Sequence, residues 1–284
     1  MIHHKLWLEV RALSAQPSVD RPPTATLANF ISHSQPGACD FLNAVPSHPS
    51  SRMNSTVWQV SVQIMLGLPV EAAVASNQPD RYGTTSINRQ DHNRRHHAVL
   101  KIWSDLLSMV HGDNYDANPA ADDKHFTYSP TKEPDGTAYH RAPGGKHIIY
   151  DTKVGTALST TAAGADMTKP AGAIAAFGNS VPNLWKLAKK DYATPLAANH
   201  RLVLLIHETS GALSPATRRQ LCNLTGYIDI DTILARGAYL TWTNSSSVLT
   251  YFSQRLSLAL HDHVACELLK STKSHPHIVP FYAR

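Results

Sequence analysis

The chain has 284 residues, 42% of them apolar, with a formal net charge of +5 and a pI near 9.1. This length and apolar fraction are those of a globular protein with a buried core, and the modest basic charge favours a polyanionic partner. No stretch approaches the roughly 18 apolar residues of a membrane span, and the N-terminus lacks the long apolar segment of a secretory signal. We therefore expect neither a membrane protein nor a secreted one.

The first third of the chain predicts two helices separated by irregular segments. Residues 14–51 are rich in Pro, Ser, Ala and His, and residues 76–93 are polar without periodicity, so both are expected to be loops. Residues 54–68 and residues 94–110 carry apolar side chains at helical spacing, and each run is followed or ended by a glycine.

The next segment predicts a polar loop and then a β-hairpin. Residues 111–133 have no periodicity, whereas a turn at residues 142–145 (APGG) separates two extended arms. The hairpin would bring Asp135 beside Asp151. Because alternate side chains of a strand share a face, Asp151 and Lys153 would point the same way.

Two carboxylates and an ammonium on one surface are typical of metal-assisted phosphodiester cleavage. Carboxylates hold a hard divalent cation through oxygen. The cation activates water and neutralises phosphate charge, and a lysine can orient the water or stabilise the oxyanion. The alternative for Asp135, Asp151 and Lys153 is an exposed hairpin with a surface ion pair, because an acid two residues before a lysine is common on solvated strands.

The second half of the chain predicts alternating helices and one strong strand. Residues 156–182 are small and Ala/Gly-rich, with a helix near 172–177. The apolar run 200–207 predicts a central strand buried on both faces. Ser214 and Pro215 have the residue types of a helix start, and residues 245–269 predict a long helix with one apolar stripe. This order predicts an α/β sandwich around a small mixed sheet.

The strand prediction extends to its two faces. Leu202, Leu204 and Ile206 would lie on one face and Val203 and Leu205 on the other. Since all five are apolar, helices should cover both faces.

The start of the second helix is a candidate phosphate-binding element. Arg94 and Arg95 would meet a phosphate at the helix N-terminus, or they would belong to a solvated first turn. His92, His96 and His97 lie nearby, but without neighbouring cysteine they are expected to face solvent rather than to bind a metal.

Three further candidates lie later in the chain. Lys189, Lys190 and Tyr192 end a helix and would supply a second set of phosphate contacts, or they are a basic C-terminus favoured by the helix dipole. Glu208 follows the strongest strand, where active-site carboxylates of α/β folds are often found. This position is also an ordinary one for a loop residue.

The cysteine pattern predicts a reducing compartment. Cys39, Cys222 and Cys266 are widely spaced, without a C-x-x-C pair, which argues against a disulfide framework. The absence of cysteine between Cys39 and Cys222 predicts that no structural zinc is present.

Several segments together resemble a known family. From about residue 33 to residue 269 the chain is similar to the C-terminal part of certain non-LTR retrotransposon polyproteins, in which a reverse transcriptase is followed by a zinc knuckle and a restriction-like endonuclease. The segments ETSGALSP and YFSQRLSLALHDHVA are the most specific. The resemblance rests on the following order: HSQPGACDFLNAVPS, RRHHAVLKIWSDLL, PDG, YDTKV, LAKKDY, LVLLIHETSGALSPATRRQL and SVLTYFSQRLSLALHDHVA.

This resemblance implies a PD-(D/E)xK endonuclease, in which helices flank a mixed sheet. Residues 94–284 would form the endonuclease-like α/β domain, and residues 1–93 a helical and irregular extension with a degenerate knuckle. Asp135 and Asp151 would hold Mg²⁺ or Mn²⁺, and Lys153 would be the motif lysine. The resemblance also implies accessory roles, which would fall on Lys189 or Lys190 with Tyr192.

Two departures from the family pattern affect the prediction. Residues 70–93 contain no cysteine, so the knuckle and its zinc are expected to be lost. No reverse transcriptase lies in the 32 or so residues before the match, so we expect a detached nuclease.

The sequence thus predicts a Mg²⁺-dependent endodeoxyribonuclease derived from a retrotransposon. Its partner would be nucleic acid, DNA rather than RNA, and its location the nucleus, with the mitochondrion or the cytoplasm as alternatives. The competing prediction is a catalytically inactive nucleic-acid-binding or structural subunit of an RNA–protein or chromatin assembly. A third is an unselected reading frame that folds without a role.

Overall fold

The computed structural model describes most of the region from the first helix onward. The residues that it describes are 29, 32–44, 53–71, 73, 92–119, 133–140, 145–156, 170–235, 245, 247–272 and 277–278. In this part of the chain, four strands form one mixed sheet, and helices pack on both of its faces. None of the described helices is both long enough and apolar enough to cross a membrane.

Seven α-helices and four strands make up the described fold. The helices are α1 Ser55–Leu66, α2 His92–His111, α3 Pro170–Asp191, α4 Ala193–Ala197, α5 Pro215–Thr225, α6 Ile230–Ala235 and α7 Val248–Ser271. The strands are β1 Tyr115–Asp116, β2 Gly136–Ala138, β3 Ile148–Gly155 and β4 Arg201–Glu208. Short 3₁₀ helices span Asp40–Asn43 and Gly112–Asn114.

The strands follow chain order across the sheet, β1-β2-β3-β4. β2 pairs with its neighbours β1 and β3 in the antiparallel sense, whereas β3 and β4 run parallel. The register of the parallel pair sets Asp151 opposite Leu204 and Lys153 opposite Ile206. Partners in this register carry their side chains on the same face, which fixes the surroundings of both polar residues.

The prediction that β4 is central is wrong for the described sheet, where β4 is the edge strand. Its apolar run suggested a central position, but covering both faces with helices is sufficient to bury it. The outer backbone edge is satisfied by the turn and helix that follow. The Ile206 N–H donates to the Thr217 hydroxyl over 2.7 Å, and the Ser214 N–H donates to the Ile206 carbonyl over 3.0 Å.

The predicted faces of β4 are confirmed. Leu202, Leu204 and Ile206 pack into a cluster with Ala188 and Tyr192 from the end of α3 and the residue after it. Val203 and Leu205 belong instead to the main core, which the apolar sides of α2, α5 and α7 complete. The sheet therefore separates an α3–α4 layer from a larger helical layer.

The last helix is confirmed, although it is buried on more than the predicted stripe. α7 begins at Val248, after Ser247 accepts the Thr250 N–H over 3.1 Å as an N-cap. One side packs on α2 and the sheet, and toward its C-terminus Val264 and Leu268 meet α1. α1 therefore packs against α7, the same helix that packs on α2 and the sheet.

The helices predicted at 54–68 and 94–110 are present as α1 and α2, and Ser214 caps α5 by accepting the Thr217 N–H over 3.2 Å. The loop prediction for residues 111–133 is wrong at β1, a strand of two residues that is too short to show a period. Three residues of the predicted APGG turn, 142–144, lie outside the described part of the chain.

Candidate active site

The hairpin strands bring the two predicted metal ligands together. Asp135 directly precedes β2, and its N–H donates to the carbonyl of Tyr150 over 3.1 Å. Since Gly136 is the register partner of Tyr150, Asp135 lies next to Asp151 on the neighbouring strand. The antiparallel pairing of β2 with β3 is confirmed, whereas a metal position shared by the two carboxylates stays a prediction.

Gly136 is needed for this close approach. A Cβ at this position would lie 2.4 Å from the hydroxyl oxygen of Tyr115, a distance that real Cβ atoms do not show. Tyr115 lies in β1, so a larger residue at position 136 would displace the Tyr115 ring. The short β1 therefore packs directly behind the aspartate, and it was not predicted from the sequence.

Two donors hold the carboxylate of Asp135, and both contact Oδ2. The Thr152 N–H donates to it over 2.6 Å, and Nε2 of His96 lies 2.9 Å away. His96 is in the first turns of α2 and its side chain is only 26% exposed, so the expectation that it faces solvent is wrong. This contact was missed because α2 and the hairpin are far apart in sequence.

The electrostatics around His96 place four ionisable groups within interaction range. The hydrogen bond to Asp135 raises the pKa of His96 above its ordinary value of 6.5, and the negative charges of Asp135 and Asp151 act in the same direction. Burial and the ammonium of Lys153 oppose this rise. The imidazolium form of His96 is therefore favoured beside the two carboxylates.

Asp151 and Lys153 form an ion pair on the face of β3 that looks toward α3. The ammonium Nζ lies 2.7 Å from Oδ1 of Asp151. The aspartate side chain is 3% exposed and the lysine side chain 22%, so the lysine is the part of the pair that solvent reaches. Their register partners Leu204 and Ile206 belong to the α3-side cluster, which confirms that both polar residues share this face.

A neutral histidine lies behind the site on the other face. His207 is fully buried, and the Trp103 indole N–H donates to its Nε2 over 2.7 Å. Burial lowers the pKa of His207 to about 3, and the charge of His96 adds to this effect. An accepting Nε2 requires the single ring proton to be on Nδ1, so His207 adds no charge near His96.

The predicted accessory residues at the end of α3 take two different positions. Lys189 and Lys190 are exposed, whereas Tyr192 is fully buried. The Tyr192 hydroxyl donates to the carbonyl of Glu133 over 3.3 Å. This contact links the residue after α3 to the backbone two residues before Asp135. Tyr192 therefore helps to position Asp135 and does not reach the solvent-exposed part of the site.

Glu208 is not brought to this site. Its register partner is Gly155, four residues along β3 from Asp151, which corresponds to roughly 13 Å. Glu208 is 6% exposed and accepts from the Ser32 hydroxyl over 2.5 Å. Burial raises its pKa to about 7, against the opposing hydrogen bonds from Ser32 and Ser210.

The two arginines predicted to contact nucleic acid also differ in exposure. Arg94 is exposed, but Arg95 is fully buried, with Nε 3.7 Å from a carboxylate oxygen of Glu267 in α7. A phosphate cannot reach a guanidinium in this position. Arg95 is therefore removed from the set of expected nucleic-acid contacts, and its role is in the packing of α2 on α7.

The donor set of the site suits a hard divalent cation. Mg²⁺ commonly binds through one or two carboxylates together with substrate phosphates, and Asp135 and Asp151 are the groups that would hold it. Among the described residues no group of three or more His, Cys, Asp or Glu side chains is arranged around a metal position. That result concerns groups of three or more protein ligands, whereas the proposed site has two carboxylates.

The absence of zinc stays a prediction. Residues 74–91, where most of the family's knuckle would fall, lie outside the described part of the chain.

Comparisons with known proteins found no match, whether among models of protein families, curated proteins or solved structures. The resemblance to retrotransposon endonucleases therefore stays a prediction. The aspartates, Lys153 and His96 are the residues whose geometry bears on function.

Proposed function

We propose that the chain is a metal-dependent DNA endonuclease of the PD-(D/E)xK type, derived from a retrotransposon. The observation that carries the proposal is the placement of Asp135 and Asp151 on adjacent antiparallel strands, with Lys153 in contact with Asp151. The mixed sheet with helices on both faces is consistent with such a core.

Asp135 and Asp151 would hold Mg²⁺ or Mn²⁺ through carboxylate oxygens. When bound, such an ion neutralises charge on a phosphodiester and lowers the pKa of bound water. Oδ2 of Asp135 is fixed by Thr152 and His96, so the carboxylate is held in one orientation before any ion arrives. Preorganisation of this kind avoids a reorganisation cost during the reaction.

Lys153 has the role of the cationic group in this proposal. Its ammonium contacts Asp151 on one side and is partly open to solvent, so it can meet a phosphate oxygen while staying near the carboxylate. In this position it would orient the attacking water or stabilise negative charge that develops on the phosphate.

His96 is assigned a positioning role. Its ring holds Asp135, and its raised pKa favours the charged form, which strengthens the hydrogen bond to the carboxylate. In its charged form the partly exposed ring adds a positive charge beside Asp135 that a phosphate could meet.

The backbone of the nucleic acid would be held by basic residues around the site. Arg94 at the start of α2, and Lys189 and Lys190 at the end of α3, are exposed and retain their proposed roles. Contacts of this kind are independent of base sequence and weaken steeply as salt rises, because they release counterions. DNA rather than RNA as substrate, and the nucleus as location, follow only from the family resemblance.

One observation favours the second candidate function, a binding module without catalysis. Asp151 is 2% exposed and already paired with Lys153, so the pair can serve as a buried structural link between β3 and its surroundings. In that case the protein would bind nucleic acid through Arg94 and the α3 lysines and cleave nothing in any metal.

Cleavage of supercoiled plasmid with Mg²⁺ or Mn²⁺ tests the proposal. Asp151→Asn keeps the shape of the side chain and removes its charge, and we expect the rate to fall by about 10²-fold or more. Asp113→Asn is the matched control, because Asp113 is exposed and lies outside the site; its rate should equal that of the wild type. Thermal melts of both variants separate loss of the site from loss of the fold.

The outcomes distinguish the two candidates. Metal-dependent cutting that Asp151→Asn abolishes supports the endonuclease. Equal cutting by wild type and Asp151→Asn contradicts the site assignment. Binding without cutting, unchanged in folded Asp151→Asn, supports the binding module.

A further inference from the structure

A groove with no role in the proposed chemistry runs along the outer edge of β4. Its volume is about 860 Å³, and it lies between α3 and α5. This volume falls within the range of about 300–1,000 Å³ that is typical of sites for bound ligands. We call it the β4 groove. Its walls are largely apolar, and the apolar residues that line it are Pro36, Val181, Pro182, Ile206, Ala212 and Leu213.

Two arginines lie on the α5 side of the β4 groove. Arg218 and Arg219 are exposed, and neither forms an ion pair with any residue of the described part of the chain. Two adjacent guanidinium groups at an apolar wall fit a ligand that carries anionic groups beside flat apolar faces. Guanidinium groups bind phosphate through paired donors and also stack on flat ring systems.

The carboxyl group in the groove does not oppose an anion strongly. Glu208 lines the inner end, and burial raises its pKa to about 7, so a large fraction of it is neutral near neutral pH. The inner polar contacts of Glu208 are with Ser32 and Ser210, which leaves the arginines as the dominant charges.

A second cavity lies beside the β4 groove at Arg218. It has a volume of about 440 Å³ and shares Pro36, Leu213 and Arg218 with the first. Its far side is polar, with Asp40 accepting a hydrogen bond from Ser253. Two adjacent cavities that share an arginine suit a chain-like ligand better than a single compact molecule.

The β4 groove also lies next to the candidate active site. Ile206, which lines it, is the register partner of Lys153 and lies on the same face of the sheet. The groove therefore begins one strand away from the Asp151–Lys153 pair. Because α3 covers Leu204 and Ile206, a polymer held at the aspartates would reach the groove around α3 rather than across β4.

We propose that the β4 groove binds a single strand of nucleic acid that extends from the acidic site, with Arg218 and Arg219 contacting its phosphates. The inference deepens the proposed nuclease function and rests on it for the choice of polymer. Unpaired bases expose apolar faces at regular intervals along a phosphate backbone, which matches apolar walls with arginines beside them. In a duplex these faces are stacked inside and only the backbone and the base edges are presented.

The experiment measures binding in EDTA, so that it does not depend on cleavage. The probe is a fluorescein-labelled oligothymidylate of about 16 nucleotides, the upper end of the site size of a single-strand-binding domain, read by fluorescence anisotropy. A duplex of the same length is the second probe. The test protein carries Arg218→Ala with Arg219→Ala. The matched control carries Lys101→Ala with Lys146→Ala. This control loses the same charge, from exposed positions away from the groove.

We expect the arginine variant to bind the single strand about tenfold or more weakly. The slope of log affinity against log salt should become shallower by about 0.7 for each phosphate that the protein no longer binds. Duplex binding should change much less, and the lysine control should behave as wild type with both probes. Equal weakening in the arginine variant and the control, or equal weakening for single strand and duplex, would overturn the inference. Neither result depends on whether Asp151→Asn abolishes plasmid cleavage, so the two proposals fail separately.

Discussion

Two neighbouring parallel strands hold buried acids in opposite environments, Asp151 in the middle of β3 and Glu208 at the end of β4. In β3, Asp151 has the ammonium of Lys153 at 2.7 Å, and the protonated form of nearby His96 is favoured. At the end of β4, Glu208 has only hydroxyl groups around it, and burial raises its pKa to about 7. Similar burial thus places one acid in contact with an ammonium group and the other among hydroxyl groups, where it keeps its proton more readily.

This difference indicates which acid can serve a metal. Cation binding requires an ionised carboxylate, and in the β3 site Lys153 contacts Asp151 and His96 contacts Asp135. Glu208 would have to lose a proton that its surroundings help it to retain. The comparison therefore favours Asp135 and Asp151 over Glu208 as the proposed metal ligands, and Glu208 lines the β4 groove.

The largest expected effect comes from a core substitution in β4, which tests whether the β3 site and the β4 groove are built on the same buried cluster. Leu204 is the register partner of Asp151 and lies in the buried cluster under α3. Leu204→Ala should lower the free energy of unfolding by about 2–5 kcal/mol, since it leaves a cavity. Urea denaturation measures the change. Leu187→Ala is the control, because Leu187 is 59% exposed, and a change in Leu204→Ala as small as in this control would show that β4 does not form the core.

The second prediction concerns the pH dependence of stability at Glu208. The unfolded chain releases this proton near pH 4.5 and the folded chain only near pH 7. Raising the pH between these values therefore favours the unfolded state, and the wild type should lose about 3 kcal/mol that Glu208→Gln does not lose. We expect the variant to be the more stable protein at pH 8 and close to wild type at pH 4. Unfolding curves at both pH values check this, and a variant that is less stable at pH 8 would contradict it.

The third prediction concerns the pKa of His96 in the β3 site. Asp135→Asn removes the partner that contributes most to the raised pKa of His96, so the pKa should fall. A histidine whose pKa is raised on folding contributes stability below its unfolded value and loses it as pH rises through the folded value. Asp135→Asn should therefore destabilise the protein more at pH 5 than at pH 9. NMR titration of the imidazole ring measures the pKa directly, and Glu208→Gln, which should leave the ring unchanged, is the control.

Parts of this fold follow from local patterns and parts do not. The two faces of β4, the cap at Ser214 and the long α7 follow from side-chain alternation, capping chemistry and helical spacing. The antiparallel pairing of β2 with β3 follows from the residue pattern between Asp135 and Asp151. Each of these rests on residues close together in sequence.

The parts that the sequence could not predict depend on distant contacts. His96 reaches Asp135, and Arg95 is buried against Glu267 from another helix, and neither partner is marked by a local pattern. The edge position of β4 also escaped prediction, because an apolar run reveals that both faces are covered but not which edges are paired. β1 has two residues and gives no period at all.

Isothermal titration of Mn²⁺ into the protein tests the central claim most directly, because it needs neither substrate nor turnover. The account predicts one cation per chain in the wild type, a loss of this site in both Asp135→Asn and Asp151→Asn, and no change in Glu208→Gln. All variants are first shown to be folded by circular dichroism. Binding that survives in both aspartate variants, or that is lost in Glu208→Gln, would contradict the assignment of the metal to the β3 site.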